Sequence, residues 1–193
     1  STELLQLRNR LPENVLLMVD DAYAEYVIKK DYKSGLEIFK DFENTVVCRT
    51  FSKIFGLANL RLGWGVASSE IIKAANLFRP PFNINGIAEK AGSIALQDDL
   101  WINKNIDHNN KWSAIIYDKI ISKNIKTNEA VANFFLLNFE KAKLNSDKAF
   151  EIFLNNKILL RKMDSYGIKN SLRLTIGTDE ENEQFLNILE SNF

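Results

Sequence analysis

Apolar positions along this chain fall into two rhythms. Short continuous runs alternate with longer stretches of helical spacing, the pattern of strands buried on both faces connected by amphipathic helices. Val15-Leu16-Leu17-Met18-Val19 and Thr45-Val46-Val47-Cys48-Arg49-Thr50 predict two such strands, and Leu60 to Ala67 a third. Residues 3–10 predict a helix that stops near Pro12, and Ala24 to Phe42 is long enough for a crossover helix. Ser68-Ser69 caps a predicted helix over 70–78, which Arg79-Pro80-Pro81 ends. Small side chains fill a helix over 86–97. Trp101, Ile102, Ile106, Trp112, Ile116 and Ile120 mark a long helix over 99–123.

The rhythm then changes. Asn133 to Phe139 predicts a strand, 146–156 a helix, and Ile158-Leu159-Leu160-Arg161 and Ser171 to Ile176 two more strands. Thr178 followed by Glu181 is a capping box that opens a last helix. Strands and helices so mixed predict two parts, divided within the long helix: residues 1–105, with a mainly parallel sheet, and an α+β part over 106–193.

Composition narrows the function classes. The 193 residues are 46% hydrophobic and carry no net formal charge, so no broad attraction to nucleic acid or anionic membrane is expected. No apolar stretch is long enough to span a bilayer, and the single cysteine, Cys48, allows no internal disulfide. A cytoplasmic location is the expectation. Lysines outnumber arginines 18 to 7, which draws attention to where the arginines stand.

Lys53 follows the second strand amid Phe51, Ile54 and Phe55, and a lysine taken out of water is a competent nucleophile. Asp20 ends the first strand, where an acid serves as a cap or loop anchor, or as partner to a cationic ring nitrogen. Tyr23 follows it by three residues; taken alone it is a packing residue. Arg61 stands eight residues after Lys53, and with Thr50 and Ser52 it either serves the turn and a salt bridge or binds a phosphate. Arg161 and Arg173 lie in apolar strands, and each needs an anion, internal or substrate. Asn133 starts a strand and reads as a turn residue or a substrate contact. His108 falls on a polar helix face, Cys48 reads as inert core, and Trp101 and Trp112 read as helix packing. No metal-ligand spacing is present.

Asp20-Asp21-Ala22-Tyr23, then Arg49-Thr50-Phe51-Ser52-Lys53-Ile54-Phe55-Gly56-Leu57-Ala58-Asn59-Leu60-Arg61, resembles the cofactor half-site of fold-type I aminotransferases that use pyridoxal phosphate. Ile158 to Arg161 and Tyr166 to Asn182 narrow the resemblance to the histidinol-phosphate aminotransferase group. The resemblance implies an α/β fold: part of the large cofactor domain over 1–105 and the C-terminal small domain over 106–193. It covers only the later part of the family pattern; the family's glycine-rich phosphate loop and Asn-Pro motif are absent from these residues.

It also implies roles. Lys53 would hold the cofactor covalently and shuttle the proton, Asp20 would keep the pyridine nitrogen protonated, and Tyr23 would bond the phenolic oxygen. Thr50, Ser52 and Arg61 would anchor the cofactor phosphate. Arg161, Arg173 and Asn133 would meet the substrate. Asp21 stands where the family often has Glu. The implied reaction is amino transfer between L-histidinol phosphate and 2-oxoglutarate, with glutamate as the counterpart, in a homodimer. An aromatic amino acid aminotransferase, a threonine-phosphate decarboxylase and a non-catalytic half-enzyme are the alternatives.

Overall fold

The computed structural model describes residues 2–39 and 42–193, which divide into two compact units, Ser1–Asn105 and Ile106–Phe193. In the first unit, helix α1 (Thr2–Arg10) leads through Pro12 to strand β1 (Leu17–Asp20). Arg8 fixes that connection although only 4% exposed. Its guanidinium donates to the carbonyls of Val15 (2.7 Å), Asn44 (3.3 Å), Leu11 (3.1 Å) and Pro12 (3.0 Å), so a buried charge is met by backbone dipoles.

β1 pairs in parallel with β2 (Thr45–Thr50), from Leu17 opposite Thr45 to Asp20 opposite Cys48. β3 (Gly63–Val66) runs antiparallel on the other edge of β2, with Thr50 opposite Gly63. Between β1 and β2 the chain forms a 3-10 turn at Ala24–Tyr26 and only a short helix, α2 (Gly35–Phe39), where the sequence length suggested a full crossover helix. Lys40 and Asp41, the end of that expected helix, lie outside the described residues. β3 also starts later than the sequence pattern suggests. Ala58–Leu60 is a 3-10 turn and Arg61 takes a left-handed backbone (φ 53), so the chain is not extended until Gly63.

α3 (Ser69–Phe78) is capped by Ser68, whose hydroxyl accepts from Ile71 N–H. α4 (Gly86–Ala95) is capped by Asn85, which accepts from Ala88 N–H at 2.8 Å. α5 (Asp99–Ser122) runs across the division between the units. Among the described residues no helix is long and apolar enough to cross a membrane.

The second unit is an antiparallel sheet in the order β4-β6-β5, formed by Phe134–Asn138, Ser171–Thr175 and Arg161–Lys162, with α6 (Ser146–Asn155) and α7 (Asp179–Asn192). The expected strand over 158–161 is displaced. Lys157 is left-handed (φ 65) and Ile158 N–H donates back to Phe153 O at 2.9 Å, so the turn that ends α6 consumes the apolar run. Trp112, Ile116 and Ile120 of α5 meet Phe135 and Leu137 of β4, Leu172 and Leu174 of β6, and Phe185 and Leu189 of α7 in one core. Within it Phe153 stacks on Phe185 (5.0 Å between centroids), and the partly buried Phe193 packs against it from outside (5.8 Å). The Thr178–Glu181 capping box opens α7, with both reciprocal hydrogen bonds formed.

Candidate active site

β2 ends at Thr50, and the chain turns over an apolar plug before Lys53. Phe51, Ile54, Phe55 and Leu62 are buried, with the Phe51 and Phe55 rings 5.0 Å apart. Phe51 N–H donates to Leu62 O, Leu57 N–H donates to Phe51 O, and the turn closes through Gly56 N–H to Lys53 O at 2.9 Å. Gly56 has φ 72, a backbone that a side chain would strain. Trp101 Nε1–H donates to Ile54 O at 2.8 Å, and Gly92 of α4 lies so close that a Cβ there would collide with Leu62. The plug therefore fixes a polar loop on a rigid base.

Lys53 is half-buried, and its Nζ lies 5.1 Å from the centroid of the Tyr23 ring, a cation–π contact that brings the end of β2 to the loop after β1. Thr50 Oγ1 accepts from Ser52 N–H at 3.0 Å, which turns the loop, while Ser52 Oγ lies 3.5 Å from Arg61 Nη1. The same Arg61 nitrogen donates to Ala58 O at 2.7 Å. The left-handed backbone at Arg61 is what turns this side chain back toward Ser52, and a non-glycine residue held there at a cost of ~1–3 kcal/mol is the mark of an over-determined site. Thr50, Ser52, Lys53, Arg61 and Tyr23 thus form one cluster on the first unit.

Asp20 sits as the loop anchor that a strand-end acid can be. Its carboxylate is exposed and accepts from Ala22 N–H at 3.2 Å. Alternation along β1 places Asp20 on the same sheet face as Met18, which is 64% exposed. The neighbouring acid, Asp21, is the more enclosed one, with a side chain 10% exposed. Across the register from Asp20, burial first and the Asp20 charge second push the Cys48 thiol up.

On the second unit, Arg161 and Arg173 stand directly opposite each other on β5 and β6. Their guanidinium groups sit over the rings of Tyr166 (5.6 Å) and Phe134 (5.2 Å), and among the described residues neither has an acidic partner within ion-pair distance. Arg173 Nε is buried and has no hydrogen-bond partner among the described residues. Like charges placed across a ladder without a counter-ion are destabilising, so the pair calls for an external anion. Both arginines line a groove of about 1040 Å³ with Lys157, Lys162 and Phe150. Asn133 is not among its lining residues; its carbonyl accepts from Ile176 N–H at 2.9 Å at the start of the β4–β6 ladder. His108, expected on a solvated face, is half-buried and bonds Gly177 O through Nε2 at 2.8 Å.

Three residues that sequence reasoning did not single out hold the loop after β1. Arg49 donates to Glu25 and lies beside Asp21, and Tyr32 O–H donates to Asp21. Burial first, and the hydrogen bond to Asp21 second, hold the Tyr32 phenol well above the usual tyrosine range. Among the described residues no group of three His, Cys, Asp or Glu side chains could hold a metal ion.

A lysine after a strand end, against a tyrosine ring and with hydroxyls and an arginine close by, has the chemistry to hold a small molecule carrying a reactive carbonyl and an anionic group. The chain belongs to the class I and II aminotransferase family, whose sequence profile matches residues 1–189. It is 47% identical over 192 residues to a histidinol-phosphate aminotransferase of Pelagibacter ubique, an alignment that covers 99% of this chain and 53% of that protein. The histidinol-phosphate aminotransferase of Clostridium acetobutylicum superposes with a TM-score of 0.87 at 20% identity, over 98% of this chain and 57% of that one. That of Sinorhizobium meliloti, solved in complex with pyridoxal-5'-phosphate, gives 0.85 at 21% identity, over 98% and 53%. The chain therefore has the fold-type I aminotransferase fold in part, as an α/β unit and an α+β unit with small sheets. It spans about half the length of the curated relatives it matches.

Proposed function

We propose that this chain carries the lysine side of a pyridoxal phosphate site and the anion subsite of an enzyme that transfers an amino group between L-histidinol phosphate and 2-oxoglutarate in histidine biosynthesis. The observation that carries the reading is the cluster of Lys53 against Tyr23 with Arg61 beside Ser52. The donor set suits the cofactor: an amine for its carbonyl, a phenol for its ring oxygen, and hydroxyls with a guanidinium for its phosphate. When bound, pyridoxal phosphate supplies an electron sink for charge that develops on the substrate α-carbon.

The chain's own residues do the rest. Lys53 Nζ would hold the cofactor at its carbonyl carbon, and its amine would take and return the proton at the substrate α-carbon. Tyr23 O–H donates to the phenolic oxygen. Thr50, Ser52 and Arg61 hold the phosphate, and the exposed Asp20 carboxylate serves the ring nitrogen. Arg161 and Arg173 bind the substrate anion in the groove they line, the phosphate of histidinol phosphate in one half-reaction and a carboxylate of glutamate in the other. Asn133 would add a further contact to the substrate. Residues 1–105 form part of a large cofactor domain, residues 106–193 form the small domain, and the working enzyme is a cytoplasmic homodimer.

The test uses the complete gene product loaded with pyridoxal phosphate, assayed with histidinol phosphate, phenylalanine and threonine phosphate. Histidinol phosphate should be the preferred substrate. Lys53→Ala should lower turnover by about 10³-fold or more, the scale of losing a positioned acid–base group. Retained turnover in that variant would overturn the reading. Preference for phenylalanine or threonine phosphate would move it to the corresponding aminotransferase or decarboxylase.

A further inference from the structure

Arg49 is the penultimate residue of β2, and its side chain is only 12% exposed. Nη1 donates to Glu25 Oε1 at 2.6 Å and Nε lies 3.3 Å from Asp21 Oδ2, while the guanidinium rests 6.0 Å from the ring centroid of Trp64, its cross-strand neighbour on β3. Asp21 is held from three further sides. Tyr32 O–H donates to Oδ1 at 2.9 Å, Gly35 N–H donates to Oδ2 at 2.8 Å, and the Asp21 N–H donates to Cys48 O at 2.9 Å. The two acids that Arg49 engages bracket Ala22-Tyr23-Ala24, so the bridges clamp both ends of the segment that carries Tyr23. Four residues after Arg49, the same run of chain delivers Lys53, whose Nζ faces the Tyr23 ring.

We propose that Arg49 is a positioning residue that acts through Tyr23: by tying Asp21 and Glu25 to the end of β2, it fixes Tyr23 relative to Lys53. An ion pair this little exposed, with every carboxylate oxygen of Asp21 bonded, has few alternative geometries, unlike the exposed pairs of the surface. The inference rests on the reading of Lys53 and Tyr23 as the cofactor's partners. It adds a residue that touches neither cofactor nor substrate.

The experiment measures the visible absorption of bound pyridoxal phosphate against pH in the complete gene product. Wild type, Arg49→Met, Glu25→Gln, Tyr23→Phe and the double variant Arg49→Met/Tyr23→Phe are compared. A phenol that donates to the ionised cofactor oxygen favours the deprotonated form, so misplacing Tyr23 should raise the midpoint by about one pH unit in Arg49→Met and by less in Glu25→Gln. In the Tyr23→Phe background, Arg49→Met should add no further shift, because a residue that acts through another loses its effect when that partner is gone.

A merely structural role would give the same shift in both backgrounds, or none, and either result overturns the proposal. Should Arg49→Met fail to fold, Glu25→Gln in the two backgrounds decides by the same criterion. A wild-type band unchanged by Lys53→Ala would instead overturn the reading beneath the proposal, and the proposal with it.

Discussion

The two units of this chain solve the problem of burial differently. In the second, helices α5, α6 and α7 and the three-stranded sheet share one core, and Ile116, Leu137, Phe153 and Leu189 are fully enclosed. In the first, Phe51, Ile54, Phe55 and Leu62 are buried around the Lys53 loop, and much of the apolar surface faces outward. Leu77, Phe78, Ile87 and Leu100 are mostly exposed, Phe82 is 99% exposed, and Met18 stands open on the sheet face beside Asp20. Scattered apolar residues on a surface need no explanation, but a run of them along α3, α4 and the loop between is the signature of a surface made to be covered. The unit with the candidate cofactor residues is thus the one that does not close on itself. The unit with the arginine groove does.

The largest expected effect follows from that contrast. Expressed separately, residues 106–193 should unfold cooperatively, with a stability on the order of 5 kcal/mol, whereas residues 1–105 should bind an apolar dye and self-associate. Calorimetry and sedimentation of the two pieces make the check. A monomeric, cooperatively unfolding 1–105 would break the comparison outright.

A matched pair of substitutions sharpens it. Phe153→Ala removes a fully enclosed ring from between Phe185 and Phe193 and should cost about 3–5 kcal/mol by denaturant titration. Phe82→Asn removes a ring that touches little, and asparagine tolerates the left-handed backbone found there (φ 57), so the 193-residue chain should change by no more than about 0.5 kcal/mol. The informative measurement repeats Phe82→Asn in the complete gene product. A clearly larger cost there identifies the loop as covered in the working protein; an unchanged one says that this face is true surface.

How much of this could be read from the residues alone depends on what fixes each feature. Strand β2 and the loop after it were legible because a β-branched run, two hydroxyls, a lysine and a glycine are local signals. The α7 cap was legible for the same reason, Thr178 and Glu181 being three residues apart. The late start of β3 was not, because it turns on the left-handed backbone of Arg61, a conformation its residue type disfavours. The strand expected over 158–161 failed because the turn after α6 bonds Ile158 back to Phe153. The exposure of Asp20 and enclosure of Asp21 depended on which face of β1 packs inward, and two adjacent acids give no hint of that. Arg49 could have been found: the argument that an arginine in an apolar strand needs an anion, which singled out Arg161 and Arg173, applies to it equally, and Asp21 and Glu25 supply the anions.

The smallest expected effect lies in the closed unit and concerns pH. Asp179, the first residue of α7, accepts from Trp112 Nε1–H at 2.6 Å and from Lys111 Nζ at 3.2 Å, with His108 Nδ1 4.0 Å away. The indole hydrogen bond first, and the lysine second, hold its carboxyl below the usual carboxylate range. A carboxylate whose folded value is depressed contributes stability above its unfolded value, near about 4, and loses it as the pH falls through the folded value. The unit should therefore weaken with acid over that window, and Asp179→Asn, which cannot ionise, should flatten the acid limb while lowering stability slightly at neutral pH. The group is exposed, so the change is modest, and salt should shrink the part owed to Lys111 while leaving the indole bond. An acid limb unchanged in Asp179→Asn would mean that the acid sensitivity of this unit rests on other groups, Glu190 of α7 first, which accepts from Lys119 Nζ of α5 at 2.7 Å and is held below the usual carboxylate range by that bond.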